Sequence, residues 1–470
     1  MRSNFFSIIA FLAFVTSLHS QTVIPADTLH KYGLYDQDRL SPEFHLSRRV
    51  ELRKHMASHS AVLFMAAPEK NRANDVNYEY HQDPNFYYLT GHIQPEAALL
   101  LTKEPIVING IRSDEFIFVQ KREPTREVWT GPRLGTDGAR SVLKISGAFV
   151  IDSVVNYLRG ILNTIDTLYY SPLKTANALD PFKTFNPVIR ETAGDEIEKN
   201  FPNLKRASLQ SILAEMRSIK QDEELKLMRK AITVSNEAHN EIIRTSRPGI
   251  YEYQMQALGE YIFTKNGCEY TGYPCIVGSG NNSTILHYET NRRKTESGDF
   301  VEMDIGAEYH GYSADVTRSF PINGKFSAEQ RLIYDLVLEA QDSGIAEAKA
   351  GNDFRAPHKA AVSVITRGLL KLGVITKPEE YRKYFMHGTS HFLGLDVHDA
   401  GNYLAPLQSR QVITVEPGIY IAEGSPCDKK WWKIGCRIED DILITPNGPE
   451  ILSNGSPRKA EDIEKLMNRK

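Results

Sequence analysis

The chain has 470 residues, of which 41% are hydrophobic and 24% are charged, and its formal net charge is −3 at pH 7. These proportions are typical of a soluble globular protein and exclude an intrinsically disordered one. The charge balance gives no reason to expect a nucleic-acid partner. Because the chain is too long for one ordinary hydrophobic core, we expect two folding units.

The first twenty residues are typical of a secretory signal peptide. Arg2 precedes an apolar run from Phe5 to Val15, and small polar residues follow that run. The run is shorter than the roughly 20 residues that span a bilayer, so we expect cleavage near Ser20 and no stable membrane anchor afterwards. The sequence therefore predicts export, either to a periplasm or to the extracellular space.

An oxidising destination leaves the state of the four cysteines open. Cys427 and Cys436, or Cys268 and Cys275, are close enough in sequence to pair there. Neither pair has the short C-x-x-C spacing of a structural zinc site, so that kind of site is not expected.

Residues 21–40 are expected to form an N-terminal tail, followed by a mixed α/β domain over residues 41–172. Helical periodicity begins at His45, a buried strand begins at Ala61, and strands and helices then alternate. Residues 173–208 are expected to form a connector, because Pro, Asn, Thr and charged residues there replace any sustained apolar period.

The second domain, residues 209–470, shows one pattern twice. A long helix around residues 222–245 and another over residues 251–266 precede a set of predicted strands. A capping box at residues 327–330 then begins a second pair of helices, and further strands are predicted from Phe392 onwards. The order helix, helix, strands suggests two related halves folded around a shared sheet.

A predicted hairpin in the first of these halves carries two aspartates. A turn centred between Tyr309 and His310 places Asp304 opposite Asp315, with Cβ atoms about 4.5–5.5 Å apart. Like charges at that distance are destabilising, so we expect a cation between them. Two exposed aspartates on a solvated hairpin face are the alternative at this point.

Three later segments, residues 387–399, 414–418 and 435–441, supply histidines and glutamates. Together with the aspartate pair, they resemble the creatinase-type, or pita-bread, metallopeptidases, and most closely the aminopeptidase P (Xaa-Pro aminopeptidase) branch. Two N-terminal segments, residues 85–91 and 129–135, are similar to the first domain of that branch. The resemblance implies an α/β fold, with a mixed α/β N-terminal domain followed by a pita-bread catalytic domain whose halves are related by a pseudo-twofold axis.

The same resemblance implies five metal ligands and two divalent ions per subunit. Asp304 is expected to hold one ion, while Asp315 and Glu439 bridge both. His391 and Glu416 are expected to complete the second site. One imidazole among four carboxylates is a hard ligand set that suits Mn, Co, Fe or Mg, and the family implies Mn²⁺. Two such ions, typically about 3.5–4 Å apart, can bridge a water and lower its pKa, so hydroxide is the expected nucleophile.

Three further histidines, His287, His387 and His398, are expected by resemblance to contact substrate or stabilise the tetrahedral intermediate. Glu416 is the nearest base for the proton of the bridging water. His387 lies four residues before His391, but the glutamate of an H-E-x-x-H zinc site is missing, so we reject such a site.

Tyr273, Arg437 and Trp129 are weaker candidates for substrate contact. For Tyr273 and Arg437, ordinary packing or a solvated ion pair is an equally good interpretation. In some enzymes of the branch, a tryptophan in the segment of Trp129 reaches the active site of a neighbouring subunit. Its presence predicts a homo-oligomer, a dimer or a tetramer, although a tryptophan in a loop more often serves packing alone.

The resemblance implies hydrolysis of the bond between an N-terminal residue and a following proline, so peptides with proline second are the expected substrates. Prolidase, which shares the fold and the ligands but takes only dipeptides, is the alternative. The segment at residues 129–135 favours the aminopeptidase. A non-catalytic peptide-binding module of the same fold is disfavoured, because such proteins usually lose ligands and this chain keeps all five.

Overall fold

The computed structural model describes residues 24–170, 201 and 203–468. The predicted signal peptide and most of the predicted connector lie outside the described residues. Within those residues, no helix combines the length and the apolar character that a membrane crossing requires. All four cysteines are described, and each is a free thiol.

The N-terminal region is mixed α/β. Its helices are α1 (Ala26–His30), α2 (Pro42–Lys54), α3 (Pro84–Thr90), α4 (Pro124–Thr130), α5 (Gly135–Ser141) and α6 (Val154–Leu162). Its strands are β1 (Ser60–Met65), β2 (Asn71–Ala73), β3 (Val76–Asn77), β4 (Ala98–Ile108), β5 (Ile111–Val119), β6 (Gly147–Val150), β7 (Thr167–Tyr170) and β8 (Lys205–Ala207). Six of these strands form one sheet in the order β6-β5-β4-β1-β7-β8, and β8 joins its edge from within the predicted connector.

The catalytic region contains the remaining elements. Its helices are α7 (Gln210–Ser218), α8 (Asp222–Thr245), α9 (Glu252–Lys265), α10 (Ala328–Glu347), α11 (Ala356–Lys371) and α12 (Ala460–Met467). Its strands are β9 (Tyr270–Thr271), β10 (Ile276–Ser279), β11 (Phe300–Asp304), β12 (Ala307–Tyr309), β13 (Tyr312–Ser313), β14 (Thr317–Pro321), β15 (Val412–Val415), β16 (Gly418–Ile421), β17 (Ile434–Arg437), β18 (Asp440–Thr445) and β19 (Gly448–Ile451). Short 3₁₀ turns lie at Ile151–Ser153, Gly280–Thr284, Pro378–Lys383 and Lys429–Trp431.

The predicted repetition of two helices followed by strands is confirmed. Helices α8 and α9 precede β9 to β14, and α10 and α11 precede β15 to β19. The capping box before α10 is present, because Ser327 Oγ accepts from the Gln330 N–H at 3.1 Å and Gln330 Oε1 accepts from the Ser327 N–H at 3.0 Å. Apolar faces of both helix pairs pack on the strands, and one core cluster extends from the N-terminal sheet to these helices.

The prediction of strands from Phe392 onwards is wrong for the stretch up to Gln411. Among the described residues of that stretch, two isolated bridges, from Phe392 to Ile413 and from Pro406 to Asp353, are the strand-type pairings. The cause is close packing at two glycines. A Cβ on Gly394 would lie 2.2 Å from the Asp399 carboxylate, and one on Gly401 would lie 2.1 Å from the Phe392 ring. The chain folds back on itself instead of continuing as a strand.

The predicted register of the aspartate hairpin is also wrong. His310 and Gly311 both have positive φ, 49° and 86°, as a two-residue type I′ turn requires. The turn is therefore centred one residue later than expected, and Asp304 pairs with Thr317 instead of Asp315. Because the pairing moves by two residues, Asp315 keeps the same face of the hairpin and lies diagonally from Asp304.

The segment before α2 is fixed to the catalytic region. Asp38 accepts a hydrogen bond from the Tyr309 hydroxyl at 2.7 Å and lies 3.0 Å from His310 Nε2 at the hairpin tip. The Ser41 N–H donates to Glu223 at 2.7 Å, at the beginning of α8. Part of the predicted N-terminal tail therefore braces the hairpin that carries the two aspartates.

A second contact across the two regions joins His81 to the buried Glu308 on β12. His81 Nε2 lies 2.8 Å from Glu308 Oε1, and this hydrogen bond raises the pKa of His81, while burial raises the pKa of Glu308. The stabilising contribution of charged His81 is therefore fully present at pH values below the pKa that His81 has in the unfolded chain. That contribution is lost as the pH rises through its raised folded pKa.

We therefore expect His81→Gln to lower the free energy of unfolding more at pH 6.5 than at pH 9. The difference should be below about 1 kcal/mol, because 45% of the His81 side chain is exposed to screening solvent. Urea denaturation of both proteins at the two pH values measures it. His55→Gln is the control, since His55 lies 3.7 Å from the exposed Glu51. An equal loss at both pH values would contradict the prediction.

Candidate metal centre

Ten of the predicted site residues line one cavity of about 340 Å³ in the catalytic region. They are Tyr273, His287, Asp304, Asp315, His387, His391, His398, Glu416, Arg437 and Glu439. Both halves of the region contribute, because the first four come before α10 and the others follow α11. The predicted ligands are thus brought together from segments far apart in sequence.

Trp129 does not line this cavity. It lies on α4 with 87% of its surface exposed, next to Val128 at 84%. A role for Trp129 at this cavity within a single chain finds no support in its position.

The centre of the cluster is formed by Asp315, His391 and Glu439. One ligand atom from each of these buried residues lies within 4.8 Å of the other two. His391 Nε2 lies 3.2 Å from Asp315 Oδ2 and 3.5 Å from Glu416 Oε1. The opposite nitrogen, Nδ1, lies 3.0 Å from the Phe392 carbonyl, which fits a donated hydrogen bond that directs Nε2 to the carboxylates.

The carboxylates repel one another in a buried space. Burial, followed by the charge of Asp304, raises the pKa of Asp315. Burial also raises the pKa of Glu416 to about 7, and burial together with Asp315 and Glu416 raises that of Glu439 well above its usual range. Burial alone opposes a charged imidazole, yet Asp315 and Glu416 raise the pKa of His391 to about 9. The cluster therefore demands positive charge at its centre.

A divalent cation fits this demand, because the donor set consists of carboxylate oxygens and one oriented imidazole nitrogen. Hard cations such as Mn²⁺ or Mg²⁺ prefer such donors over the thiolates that favour structural zinc. The residues present therefore suit the two-ion site that the sequence predicts.

Arg437 supplies fixed positive charge at one side of the cluster. This buried guanidinium donates from Nη2 to Asp304 Oδ2 at 2.7 Å and from Nε to the Thr317 hydroxyl at 3.1 Å. The Thr317 hydroxyl in turn donates to Glu439 Oε2 at 2.7 Å. Tyr273 holds the other oxygen of Asp304 with its hydroxyl at 2.5 Å. Two predicted ligands are thus oriented from outside before any ion binds.

His387 is held by neighbours that sequence reasoning missed. Its Nδ1 lies 2.6 Å from the Gly388 carbonyl, and its Nε2 lies 2.8 Å from the Tyr420 hydroxyl. Arg437 Nη1 donates to the same hydroxyl at 2.9 Å, so Tyr420 donates its own proton to His387 Nε2. Burial, and then Arg437, lowers the pKa of His387 to about 3. His387 is therefore a neutral ring with both nitrogens engaged.

His287 and His398 differ from His387. Both line the cavity, and neither has a hydrogen-bond partner for its ring nitrogens among the described residues. His398 meets the His391 ring edge to face at a centroid distance of 4.4 Å, and burial lowers its pKa. These two rings are the histidines free to contact a bound molecule.

Thr317 and Tyr420 had weak signals in the sequence. Thr317 follows Asp315 by two residues, so strand alternation places both on one face. Tyr420 follows Glu416 by four residues and lies in the apolar strand β16, so nothing in the local sequence marks it as part of the site. Their partners come from distant segments, which local patterns do not reveal.

Comparison with known proteins agrees with this geometry. Metallopeptidase family M24 matches residues 226–446, and the aminopeptidase P N-terminal domain matches residues 45–169. The Xaa-Pro aminopeptidase of Haemophilus influenzae is 37% identical over 441 residues, which cover 92% of this chain and 98% of that protein. The chain belongs to metallopeptidase family M24. The Xaa-Pro aminopeptidase of Escherichia coli is also 37% identical, over 89% of this chain and 96% of its own length.

Solved structures support the family assignment. Aminopeptidase PepP of Pseudomonas aeruginosa superposes with a TM-score of 0.83 at 36% identity, covering 91% of this chain and 98% of that one. Aminopeptidase P of Escherichia coli with the inhibitor Pro-Leu gives the same TM-score at 35% identity and the same coverage. The predicted fold class, the family resemblance and the assignment as a metallo-exopeptidase are confirmed.

The contact from Thr317 to Glu439 yields a test of ligand orientation. We expect Thr317→Val, which preserves shape but removes the hydroxyl, to weaken Mn²⁺ affinity roughly 10- to 100-fold, because orienting neighbours of a ligand have effects of that size. Isothermal titration of the metal-stripped protein measures the change. Thr102→Val removes a buried hydroxyl of β4 that has no partner within the described ranges, and it should bind Mn²⁺ like the wild type. Equal affinity in both variants would contradict the role of Thr317.

Proposed function

We propose that the chain hydrolyses the bond between an N-terminal residue and a following proline, using two divalent ions, with Mn²⁺ as the native metal. The observation that carries the proposal is the convergence of five predicted ligands in one buried cavity, in a chain whose family relatives are named Xaa-Pro aminopeptidases. Asp304, Asp315, His391, Glu416 and Glu439 would hold the ions. When bound, the two ions would supply Lewis acidity and would lower the pKa of a water molecule, so that hydroxide becomes available as the nucleophile.

The residues around the cluster have separate tasks in this proposal. Glu416 is the base assigned to the reacting water, because a carboxylate that holds an ion would also lie beside a water bound there. His287 and His398, whose ring nitrogens are free, contact the peptide and the oxygen of its scissile bond. His387 is held by Tyr420 and shapes the cavity wall beside them.

A preference for proline has a physical basis in the cavity. A bond that precedes proline is a tertiary amide with no N–H, so recognition through backbone pairing loses a donor there. Apolar side chains of Ile276, Leu286 and Val397 line the cavity beside the acidic cluster. Such a surface suits a pyrrolidine ring, and few convergent polar groups then fix the peptide.

Export and assembly belong to the same proposal. The apolar run over residues 5–15 supports export to a periplasm or the extracellular space. The exposure of Trp129 and Val128 on α4 supports a homo-oligomer, a dimer or a tetramer, in which this helix meets another subunit.

The activity is tested with matched peptides, with and without Mn²⁺. We expect release of the first residue from Ala-Pro-Ala and little release from Ala-Ala-Ala. Chelation of the metal should abolish the release from Ala-Pro-Ala. Cleavage confined to the dipeptide Ala-Pro would favour prolidase. Inactivity towards every peptide after metal loading would favour a peptide-binding module. The N-terminal match over residues 45–169 is to the aminopeptidase P type, which supports the first outcome.

Replacement of Asp315 tests the two-ion assignment. We expect Asp315→Ala to lose both ions and at least about 1,000-fold in activity, because a residue that serves both ions cannot be lost from one alone. Metal content by mass spectrometry and the tripeptide assay measure the two effects. Asp152→Ala, an exposed replacement in the N-terminal region, is the control. Two bound ions or full activity in the Asp315 variant would refute the assignment.

A further inference from the structure

A buried ion cluster lies beneath the loop that carries His391 and His398. Asp399 is 3% exposed, and its carboxylate contacts two cationic side chains, Arg217 in the last turn of α7 and Lys220 between α7 and α8. Its Oδ1 accepts a short hydrogen bond from Arg217 Nη2, and its Oδ2 accepts from Lys220 Nζ at 2.7 Å. Burial alone would raise the pKa of Asp399, but the two cations hold it below its usual value. The cluster therefore contains a permanent carboxylate directly after His398.

Arg217 extends this cluster in two directions. Its Nη2 also donates to Asp396 Oδ2 at 2.8 Å, within the same loop as Asp399. Its Nη1 donates to Asn85 Oδ1 at 2.9 Å, on helix α3 of the N-terminal region. One guanidinium thus joins the His398 loop to a residue of the other region.

The loop is shaped to receive these groups. Gly394 leaves the space in which the Asp399 carboxylate and the Lys220 ammonium meet, since a Cβ there would lie 2.2 Å and 2.5 Å from them. The Asp399 N–H donates to the Phe392 carbonyl at 2.8 Å, and the Gly394 carbonyl accepts from Ser313 at 2.9 Å. The loop is closed on itself and attached to the aspartate hairpin.

The arrangement leaves His398 as the part of the loop that is not anchored. Its neighbour Asp399 is buried and paired, whereas the His398 side chain projects into the cavity without a hydrogen-bond partner among the described residues. A buried carboxylate between two cations is costly to displace, because moving it would leave charges unpaired in the protein interior. The position of Asp399 sets where the preceding residue can place its ring.

We infer that Asp399 is a positioning residue for the reaction, which fixes His398 in the cavity, and that Arg217 couples this position to the N-terminal region through Asn85. The inference rests on the proposed function for its kinetic part, because His398 is there a substrate contact. It also makes a structural statement, namely that the paired charge of Asp399 holds residues 392–399 in place, and this statement holds whatever the substrate is.

The structural part is tested by hydrogen exchange of the full-length, Mn²⁺-loaded protein. We expect Asp399→Asn to accelerate amide exchange across residues 392–399 at least about 10-fold, because the cations lose their charged partner. Glu115→Gln breaks another buried ion pair, with Arg49 in the N-terminal region, and should leave the loop unchanged. Unchanged exchange in the Asp399 variant would overturn the inference even if the enzyme proved to have another substrate.

The kinetic part is tested by a double-mutant cycle on the tripeptide. We expect Asp399→Asn to lower kcat/KM about 10- to 100-fold, the scale of a misplaced catalytic contact, with metal content unchanged. In a His398→Ala background the same replacement should have almost no further effect. An equal fall in both backgrounds would show that Asp399 does not act through His398.

Arg217→Lys supplies a second variant that keeps the charge. A lysine retains attraction for Asp399 but loses the planar fork that also reaches Asp396 and Asn85. We expect a severalfold fall in kcat/KM that again disappears in the His398→Ala background. If Asp399→Asn does not fold, Arg217→Lys tests the inference instead. An equal fall in kcat/KM with and without the His398→Ala replacement would overturn it. Failure of the wild type on every proline peptide would instead refute the proposed function alone.

Discussion

The repulsion among buried carboxylates is the constraint on which the rest of the structure depends. Asp304, Asp315, Glu416 and Glu439 share one cavity, where burial and mutual charge disfavour their ionised forms. Such a cluster is destabilising unless cations occupy its centre, so the fold must be strong enough to assemble it beforehand. Arg437 offsets part of the cost, but a single guanidinium at the edge does not neutralise four carboxylates. The binding of divalent ions is therefore expected to contribute directly to stability.

The duplicated architecture is what brings these charges together. The first half presents Asp304 and Asp315 on one hairpin, whereas the second half presents His391, Glu416 and Glu439 from its loop and strand ends. Each half alone carries an incomplete ligand set. The proposed two-ion site therefore depends on the packing of the two halves against each other.

The family resemblance supplied the five candidate ligands, and the structure brings their side chains into one cavity. The helix pairs were predictable from the residues themselves, because amphipathic periods and caps are local properties. Prediction from the sequence failed where non-local packing decides. The hairpin turn moved by one residue because His310 adopts the left-handed conformation that a residue other than glycine rarely takes. Thr317 and Tyr420 were missed because the partners of their hydroxyls lie in other segments of the chain. Thr317 contacts Glu439 and Arg437, and Tyr420 contacts His387 and Arg437. The segment from Phe392 forms a loop instead of the expected strand because of non-local contacts, namely the close packing at Gly394 and Gly401.

Buried ion pairs lie around the candidate metal centre, in positions where apolar side chains would also fill the space. Arg318 with Asp440, and Arg437 with Asp304, are buried almost completely, like Asp399 with its cations. Apolar replacements of such pairs are often as stable or more so, so stability alone does not account for them. Apolar packing tolerates sliding by fractions of an ångström, whereas a desolvated ion pair has one acceptable geometry. Metal ligands must be placed within a few tenths of an ångström. The surrounding ion pairs therefore fix the positions of the candidate ligands, at some cost in folding stability. This fixation matters most in the loop around Asp399, because the chain has no regular secondary structure there.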